Sequence, residues 1–232
     1  MKNILTKPSL KTHNKSVKII SKEFLTESVL LLTLSNPGIK FAAGQHIIIS
    51  YKDQIYDREY SIFSGEEEEN IQILVKIVAD GYFTSILAKA NIGDELNFRG
   101  PHGNFVLNPF VHENKKHYLI ATGTGIAPFV SYQKTYKHLL NFEVIHGVKT
   151  LDNACFFDIF PNYKLCISQN FNNKKDGIDI FKGRVTEYLK QTQIDKEGVY
   201  YLCGNFDMIY DVETYLISEG VNPYNIFKEV YF

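Results

Sequence analysis

The hydrophobic pattern of the chain changes character near residue 110. Before that point, short apolar runs such as residues 29–34 and 71–77 are separated by turn residues. After it, apolar segments at residues 117–121 and 142–148 alternate with segments of helical spacing. Closely spaced strands predict a small antiparallel barrel, whereas alternating strands and helices predict a doubly wound parallel sheet.

The chain has 232 residues, enough for two modest domains that each bury a core. We therefore expect a two-domain β + α/β protein. Residues 1–16 are expected to form a flexible N-terminal segment and residues 17–110 an antiparallel β-barrel domain. Residues 111–232 are expected to form an α/β domain around a doubly wound parallel sheet. The polar segment 108–116 marks the boundary.

The composition argues against several classes of function. The chain is 44% hydrophobic and 22% charged with a formal net charge of -1, so no strong field draws it to nucleic acid or to an anionic membrane. It has no run of about 18 apolar residues and no apolar stretch typical of a signal peptide. Its three cysteines lack paired spacing and are too few for a plant-type iron–sulfur cluster. We expect a monomeric cytoplasmic protein with no metal site and no nucleic-acid or membrane partner.

A glycine-rich turn joins a predicted strand to a predicted helix in the second half. It reads Gly123-Thr124-Gly125-Ile126-Ala127-Pro128. Glycines let a backbone approach a pyrophosphate closely, and the free N–H groups at a helix start bind anions. Pro128 suits the first helical turn, where a missing N–H costs nothing. A tight strand–helix turn without any ligand explains the motif equally well.

Five other motifs each allow a binding role and an ordinary structural one. They are Arg58-Glu59-Tyr60-Ser61, Gly81-Tyr82-Phe83-Thr84, Gly100-Pro101-His102-Gly103-Asn104-Phe105, Cys203-Gly204-Asn205 and the tail Glu229-Val230-Tyr231-Phe232. An arginine can clamp a phosphate, a tyrosine can stack on a flat ring, and a serine can hydrogen-bond a ring nitrogen. A plain strand, tight turns and buried core residues are the alternatives.

Taken in order along the chain, these motifs resemble those of the ferredoxin–NADP reductase family. The order is Arg-x-Tyr-Ser, Gly-x-x-Thr, Gly-Pro-x-Gly-x-Phe, Gly-Thr-Gly-Ile-Ala-Pro, Cys-Gly-Asn-x-x-Met and a Glu-x-Tyr tail. The resemblance covers residues 17–232, and the six ordered motifs are far more specific than any one of them. The single aromatic residue beyond Glu-x-Tyr is similar to the bacterial ferredoxin/flavodoxin reductases.

The resemblance implies that the barrel binds FAD and that the α/β domain binds NADPH or NADH. It implies catalytic positions for three residues, with Ser61 near flavin N5 and with Cys203 and Glu229 beside the nicotinamide. The FAD-binding residues that it implies are Arg58, Glu59, Tyr60, Ser61, Gly81, Phe83, Thr84, Ser85, Tyr231 and Phe232. The NAD(P)-binding residues are Gly123, Thr124, Gly125, Ile126, Pro128, Ser168, Gln169, Cys203, Gly204, Asn205 and Met208.

One position departs from the family pattern. Members that prefer NADPH often carry Ser-Arg after the third strand of this domain, whereas this chain has Ser168-Gln169. A glutamine cannot supply a charge-assisted bidentate contact to the 2′-phosphate. The sequence therefore predicts weak discrimination between the coenzymes. Other cations that are open to this role, or to a solvated surface, are Lys149, Lys174, Lys175 and Arg184.

The resemblance implies an oxidoreductase that transfers hydride between NAD(P)H and FAD, and single electrons between FAD and a ferredoxin or flavodoxin. Three alternatives remain at this level. The chain is also compatible with the reductase component of an oxygenase and with a flavin or ferric reductase of the same fold. The third is a non-autonomous electron-transfer subunit of a larger complex.

Overall fold

The computed structural model describes twelve strands and four α-helices within defined parts of the chain. These parts are residues 15–51, 56–78, 81–108, 112, 114–140, 142–156, 158–169 and 177–231. Most of the predicted N-terminal segment, the predicted boundary at 110/111, Lys174, Lys175 and Phe232 lie outside the described residues.

Six antiparallel strands and one helix form the first half. They are β1 (Lys15–Thr26), β2 (Val29–Leu34), β3 (His46–Tyr51), β4 (Asp57–Ser61), β5 (Ile71–Lys76), α1 (Tyr82–Lys89) and β6 (Glu95–His102). The strand order is β4-β3-β6-β1-β2-β5. A bridge between Ile62 and Ile73 joins the two outer strands, so the sheet curls back on itself as a barrel.

Six parallel strands and three helices form the second half. They are β7 (His117–Thr122), α2 (Ala127–Tyr136), β8 (Phe142–Val148), β9 (Asn162–Ile167), β10 (Asp179–Lys182), α3 (Val185–Leu189), β11 (Val199–Asn205), α4 (Phe206–Ser218) and β12 (Ile226–Tyr231). The order β10-β9-β8-β7-β11-β12 runs outward from β7 in both directions. Ligands of such sheets bind at the carboxyl ends of the strands where the order reverses, which here are β7 and β11.

A continuous apolar core joins the two halves. Phe105 of the first half packs with its ring centroid 6.1 Å from that of Tyr132 and 5.8 Å from that of Tyr201. The Tyr132 hydroxyl donates to the Phe105 carbonyl at 2.6 Å, and Ser131 donates to the Ser64 carbonyl at 2.7 Å. Residues of the barrel and of the parallel sheet are therefore held in a fixed relation to each other.

Several elements differ from the sequence predictions. Strand β1 begins at Lys15 and pairs with β6, so residues 15 and 16 belong to a strand rather than to the predicted flexible segment. The predicted turn at Gly100 begins inside β6. Strand β10 was not predicted because it has only four residues and only two of them are part-buried. Within the described residues, no helix combines the length and the apolar character that a membrane span requires.

Candidate functional site

A cavity of about 580 Å³ opens at the carboxyl ends of the parallel strands. Both halves of the chain line it, because Val29, Leu74 and Lys76 of the barrel face the parallel sheet there. The lining from the second half includes Thr122, Gly123, Thr124, Ile126, Val148, Lys149, Cys155, Ser168, Arg184, Gly204, Asn205, Met208 and Tyr231. The cavity thus lies at the strand-order reversal, where a nucleotide site is expected.

The glycine turn after β7 forms one wall of this cavity. Gly125 packs directly on β11, and a Cβ atom there would lie 2.4 Å from the Cys203 carbonyl oxygen. Gly123 has a φ of +55°, and a Cβ atom there would meet nothing within 4 Å. The backbone at Gly123 is therefore open toward the cavity at the start of a helical segment, which fits the pyrophosphate of a dinucleotide.

A buried histidine, His146, is hydrogen-bonded to the glycine turn. The two His146 ring nitrogens lie 2.8 Å from the Gly123 carbonyl oxygen and 2.6 Å from the Tyr163 hydroxyl. Burial lowers the pKa of His146 to about 4, so the ring is neutral at pH 7. We infer the tautomer from these partners: Nε2–H donates to Gly123, and Nδ1 accepts from Tyr163.

We expect acid to destabilise the protein through His146. Because the folded pKa of about 4 lies below the ordinary value of 6.5, the unfolded chain gains the proton first as the pH falls. The contribution of neutral His146 to the stability of the folded state is fully present above pH 6.5 and declines toward pH 4. At about 1.4 kcal/mol per pKa unit, the wild type should lose about 2 kcal/mol more than His146→Gln between about pH 7.5 and about pH 5.

Urea unfolding at the two pH values measures this difference. His138→Gln is the matched control because His138 is exposed. A pH-dependent loss of stability that is the same in wild type and in His146→Gln would show that His146 does not carry the effect.

Ser61 and Glu229 meet where the two halves join. Ser61 ends β4 and Glu229 lies in β12, yet the Ser61 hydroxyl donates to Glu229 Oε1 at 2.5 Å. Burial raises the pKa of Glu229, although the hydrogen bond from Ser61 opposes this shift. The pair therefore couples a buried hydroxyl to a carboxyl group that can hold or release a proton.

Two further polar groups lie against this pair. The Tyr231 hydroxyl is buried without a well-formed hydrogen bond among the described residues, and its ring lines the cavity. Cys203 is fully buried, and burial raises the pKa of its thiol well above the usual range. The thiol is therefore protonated at pH 7, and it packs at the site rather than acting as a nucleophile. An unsatisfied hydroxyl beside Ser61 and Glu229 fits the polar edge of a ligand.

A second cavity, of about 550 Å³, lies on the barrel side and is lined by Tyr56, Arg58, Tyr82 and Phe83. Helix α1 begins beside it, with Gly81 as its N-terminal cap residue. A guanidinium group, aromatic rings and the first-turn N–H groups of a helix together fit a pyrophosphate that carries an aromatic base.

Family models match both halves of the chain. Residues 16–107 match an oxidoreductase FAD-binding domain, and residues 119–214 match an oxidoreductase NAD-binding domain. The chain is also 27% identical to the ferredoxin–NADP reductase of Pseudomonas aeruginosa, over 95% of this chain and 92% of that protein. The chain belongs to the ferredoxin–NADP reductase family. Members of this family are oxidoreductases, and FAD and NAD(P) are the cofactors of this chain.

Two other known proteins are similar to the chain. It is 28% identical to the electron transfer component of toluate 1,2-dioxygenase from Pseudomonas putida, over 88% of this chain but only 64% of that protein. A crystal structure of a ferredoxin NADP⁺ reductase from Neisseria gonorrhoeae with bound FAD and NADP has the same fold. Its TM-score is 0.81 at 21% identity, with 94% of this chain and 98% of that chain covered.

The structure brings together most of the residues that the reductase resemblance implies for NAD(P). Those that line the larger cavity are Gly123, Thr124, Ile126, Ser168, Gly204, Asn205 and Met208. Tyr231, which the resemblance implies for FAD, lines the same cavity. Pro128 is buried in α2, and Gln169 is exposed outside the lining. The Asn205 side chain accepts from the Asp207 and Met208 N–H groups and caps α4.

The FAD-related residues of the reductase are divided between two places. Arg58 and Phe83 line the barrel cavity, whereas Ser61 lies at the junction of the halves. Glu59 is exposed, and Tyr60 packs partly against the barrel core. The Thr84 hydroxyl donates to the Gly81 carbonyl at 3.3 Å and thereby stabilises the start of α1, whose first turn also contains Ser85.

Sequence reasoning missed several residues of the site. Lys76, Thr122 and Cys155 line the larger cavity, and His46 lies within 4 Å of the Glu229 carboxylate. The local sequence carries no signal for Lys76 and His46, because their positions depend on how the barrel docks against the sheet.

Proposed function

We propose that this protein transfers hydride from NADPH or NADH to FAD and passes the electrons singly to a ferredoxin or flavodoxin. The observation that carries the proposal is the contact between Ser61 and Glu229 at the meeting point of the two cavity-bearing halves. FAD, when bound, accepts two electrons as hydride and releases them one at a time. The protein supplies a fixed geometry and a place for the proton.

In this proposal residues 17–110 hold FAD. Arg58 pairs with its pyrophosphate, and the start of α1, with Gly81, Thr84 and Ser85, binds the same group. Tyr60 would stack on one face of the flavin ring, and Tyr231 would cover the other face. Support comes from the cavity beside Arg58 and Phe83 and from the position of Tyr231 on the wall of the larger cavity.

Residues 111–232 hold NAD(P) in the same proposal. The pyrophosphate lies against Gly123 and Thr124, and Asn205 and Met208 line the path toward Tyr231. Glu229 and Cys203 flank the place of the nicotinamide. The nicotinamide would need the flavin face that Tyr231 covers, so the Tyr231 ring would have to move in each turnover. The ring is only part-buried, although its hydroxyl is fully buried.

Two cations of the cavity wall, Lys149 and Arg184, are well placed to bind a 2′-phosphate in the absence of an arginine at position 169. We expect Arg184→Ala to weaken NADPH binding about 10- to 100-fold, since a hydrogen bond to a charged group contributes about 1.5–3 kcal/mol. NADH binding should change little, because NADH lacks this phosphate.

Titration of NADP⁺ and NAD⁺ against the flavin absorbance measures both affinities. Lys182→Ala is the control, because Lys182 is an exposed cation outside the cavity lining. If Arg184→Ala weakens the binding of the two coenzymes equally, Arg184 does not bind the 2′-phosphate.

The first test of the proposed function concerns the cofactor itself. The purified protein should be yellow, and heating should release FAD rather than FMN. NADPH or NADH should bleach the bound flavin without oxygen, and ferricyanide should restore its colour. A chain that cannot be loaded with FAD would show the proposal to be wrong.

A second candidate function is the reductase component of an oxygenase, favoured by the similarity to the toluate dioxygenase component. The two functions differ only in the acceptor protein. Comparing the rate of electron transfer to purified ferredoxins, flavodoxins and oxygenase components of the host decides between them.

A further inference from the structure

Each hydride that reaches the site leaves one proton behind once its two electrons have departed singly. Under the proposed function, that proton must reach solvent from a site that is walled by both halves. We infer that His46 passes this proton from Glu229 toward Glu59 and the solvent. In this proposal His46 does not touch the reacting atoms and acts only through Glu229.

Four side chains form a path of increasing exposure. Ser61 is 3% exposed, and the side chains of Glu229, His46 and Glu59 are 17%, 19% and 70% exposed. The Ser61 hydroxyl lies 2.5 Å from Glu229 Oε1. His46 Nδ1 lies 3.9 Å from Glu229 Oε2, and His46 Nε2 lies 3.8 Å from Glu59 Oε2. Each ring nitrogen of His46 thus faces a different carboxylate.

Both His46 separations exceed hydrogen-bonding distance by about 0.7 Å. A small rotation of the ring closes one gap at a time, so His46 contacts Glu229 and Glu59 in turn. The His46 ring has space here because residue 103 is a glycine: a Cβ atom at this position would lie 2.8 Å from His46 Nδ1. The proposed path therefore has two gaps, which rotation of the His46 ring has to close.

The charges around His46 come from three other strands. Glu59 lies on β4, His102 on β6 and Glu229 on β12. Burial lowers the pKa of His46, Glu59 opposes that shift, and His102 adds to it. His46 is therefore neutral at pH 7 and free to accept a proton. Glu229 lies behind it with a raised pKa, so its carboxylate can take up and hold the proton that Ser61 gives it.

The relay moves protons and no electrons. Ser61 receives a proton on Oγ and gives its own proton to Glu229 Oε1, so the serine is unchanged. Glu229 gives a proton from its carboxyl group to His46 Nδ1. The imidazolium releases a proton from Nε2 to Glu59 or to water, and exchange with water restores the original tautomer. One proton enters the relay for each hydride, and one leaves.

The test uses FAD-loaded protein and separates the two halves of turnover by stopped-flow absorbance. In His46→Gln, reduction of the flavin by NADPH should stay within about twofold of wild type. Reoxidation by ferricyanide should slow about tenfold, with a larger solvent deuterium isotope effect. This tenfold loss is smaller than the roughly 10²–10⁴-fold loss that is typical of a direct acid–base group, since water replaces part of the path. Added imidazole should restore the rate in His46→Ala.

The control is His138→Gln, since His138 is exposed and is not one of the groups that face His46. It should reoxidise at the wild-type rate. NMR titration of the oxidised proteins gives a readout without turnover: Glu59→Gln should lower the pKa of His46, because a facing carboxylate is lost. An unchanged His46 pKa in Glu59→Gln would contradict the coupling.

The outcomes distinguish this inference from the proposed function. If NADPH and NADH both fail to reduce the wild-type flavin, the proposed function is wrong. If the wild type is reduced normally and His46→Gln reoxidises at the same rate with the same isotope effect, only the role of His46 is wrong.

Discussion

Replacement of Ser61 by alanine is expected to slow reduction of the bound FAD by NAD(P)H about 10²–10³-fold, the usual loss for one transition-state contact at a well-organised site. Ser61 is buried and contacts Glu229, so its hydroxyl has one fixed direction. FAD should stay bound, because the proposed binding groups around Arg58 are unchanged. Anaerobic stopped-flow absorbance measures the rate.

A second serine provides the matched control for this variant. Ser64 is also fully buried, but its hydroxyl accepts from the Gln72 N–H at 3.1 Å and lies away from Glu229. Ser64→Ala should therefore lower stability modestly and leave the reduction rate unchanged. Equal rates in wild type and Ser61→Ala would remove Ser61 from the proposed chemistry. The pKa of Glu229 should rise further in Ser61→Ala, because the lost hydrogen bond holds it down.

Gly125→Ala is expected to destabilise the second half by about 3 kcal/mol, the upper range for overpacking. A Cβ atom would lie 2.4 Å from the Cys203 carbonyl oxygen and 2.7 Å from its carbonyl carbon. These are backbone atoms of a central strand, so neither side has room to yield. Urea unfolding should show the loss, and NAD(P) affinity should fall with it because the turn must shift.

Gly123→Ala separates binding from stability. A Cβ atom at Gly123 meets no protein atom within 4 Å, although φ is +55°. The expected stability cost is therefore only the roughly 1–2 kcal/mol of a left-handed residue, while NAD(P) affinity should fall because the methyl group points into open space at the cavity wall. If Gly125→Ala is no less stable than Gly123→Ala, the close approach to Cys203 is not what requires glycine.

The strands with strong apolar patterns were predictable because burial of their apolar side chains is enough to determine where each strand begins and ends. Val29–Leu34 and Phe142–Val148 form strands with the bounds that the sequence indicated. The four-residue β10 was not predictable, because Asp179–Lys182 gains its pairing only from β9 at the sheet edge. The segment Arg58–Ser61, for which the sequence allowed a plain strand as well as a binding role, forms most of β4 by pairing with β3.

The candidate site was predictable in its motifs but not in its contacts. The glycine turn at Gly123 lies on the cavity wall. It was predictable because a strand–turn–helix unit is formed by residues that are close in sequence. The contact between Ser61 and Glu229 spans 168 residues and depends on how the two halves dock. The same holds for His46 and for Lys76, which reach the junction from barrel strands without any local motif.

The central claim is that the protein converts a two-electron donor into single electrons for a carrier protein. The most direct measurement is an anaerobic titration that counts NADPH oxidised against a one-electron ferredoxin or flavodoxin reduced, with catalytic amounts of the FAD-loaded protein. We predict that two carrier molecules are reduced for each NADPH consumed. NADPH oxidation that proceeds only with a two-electron acceptor such as free flavin, and leaves every one-electron carrier of the host oxidised, would contradict the claim.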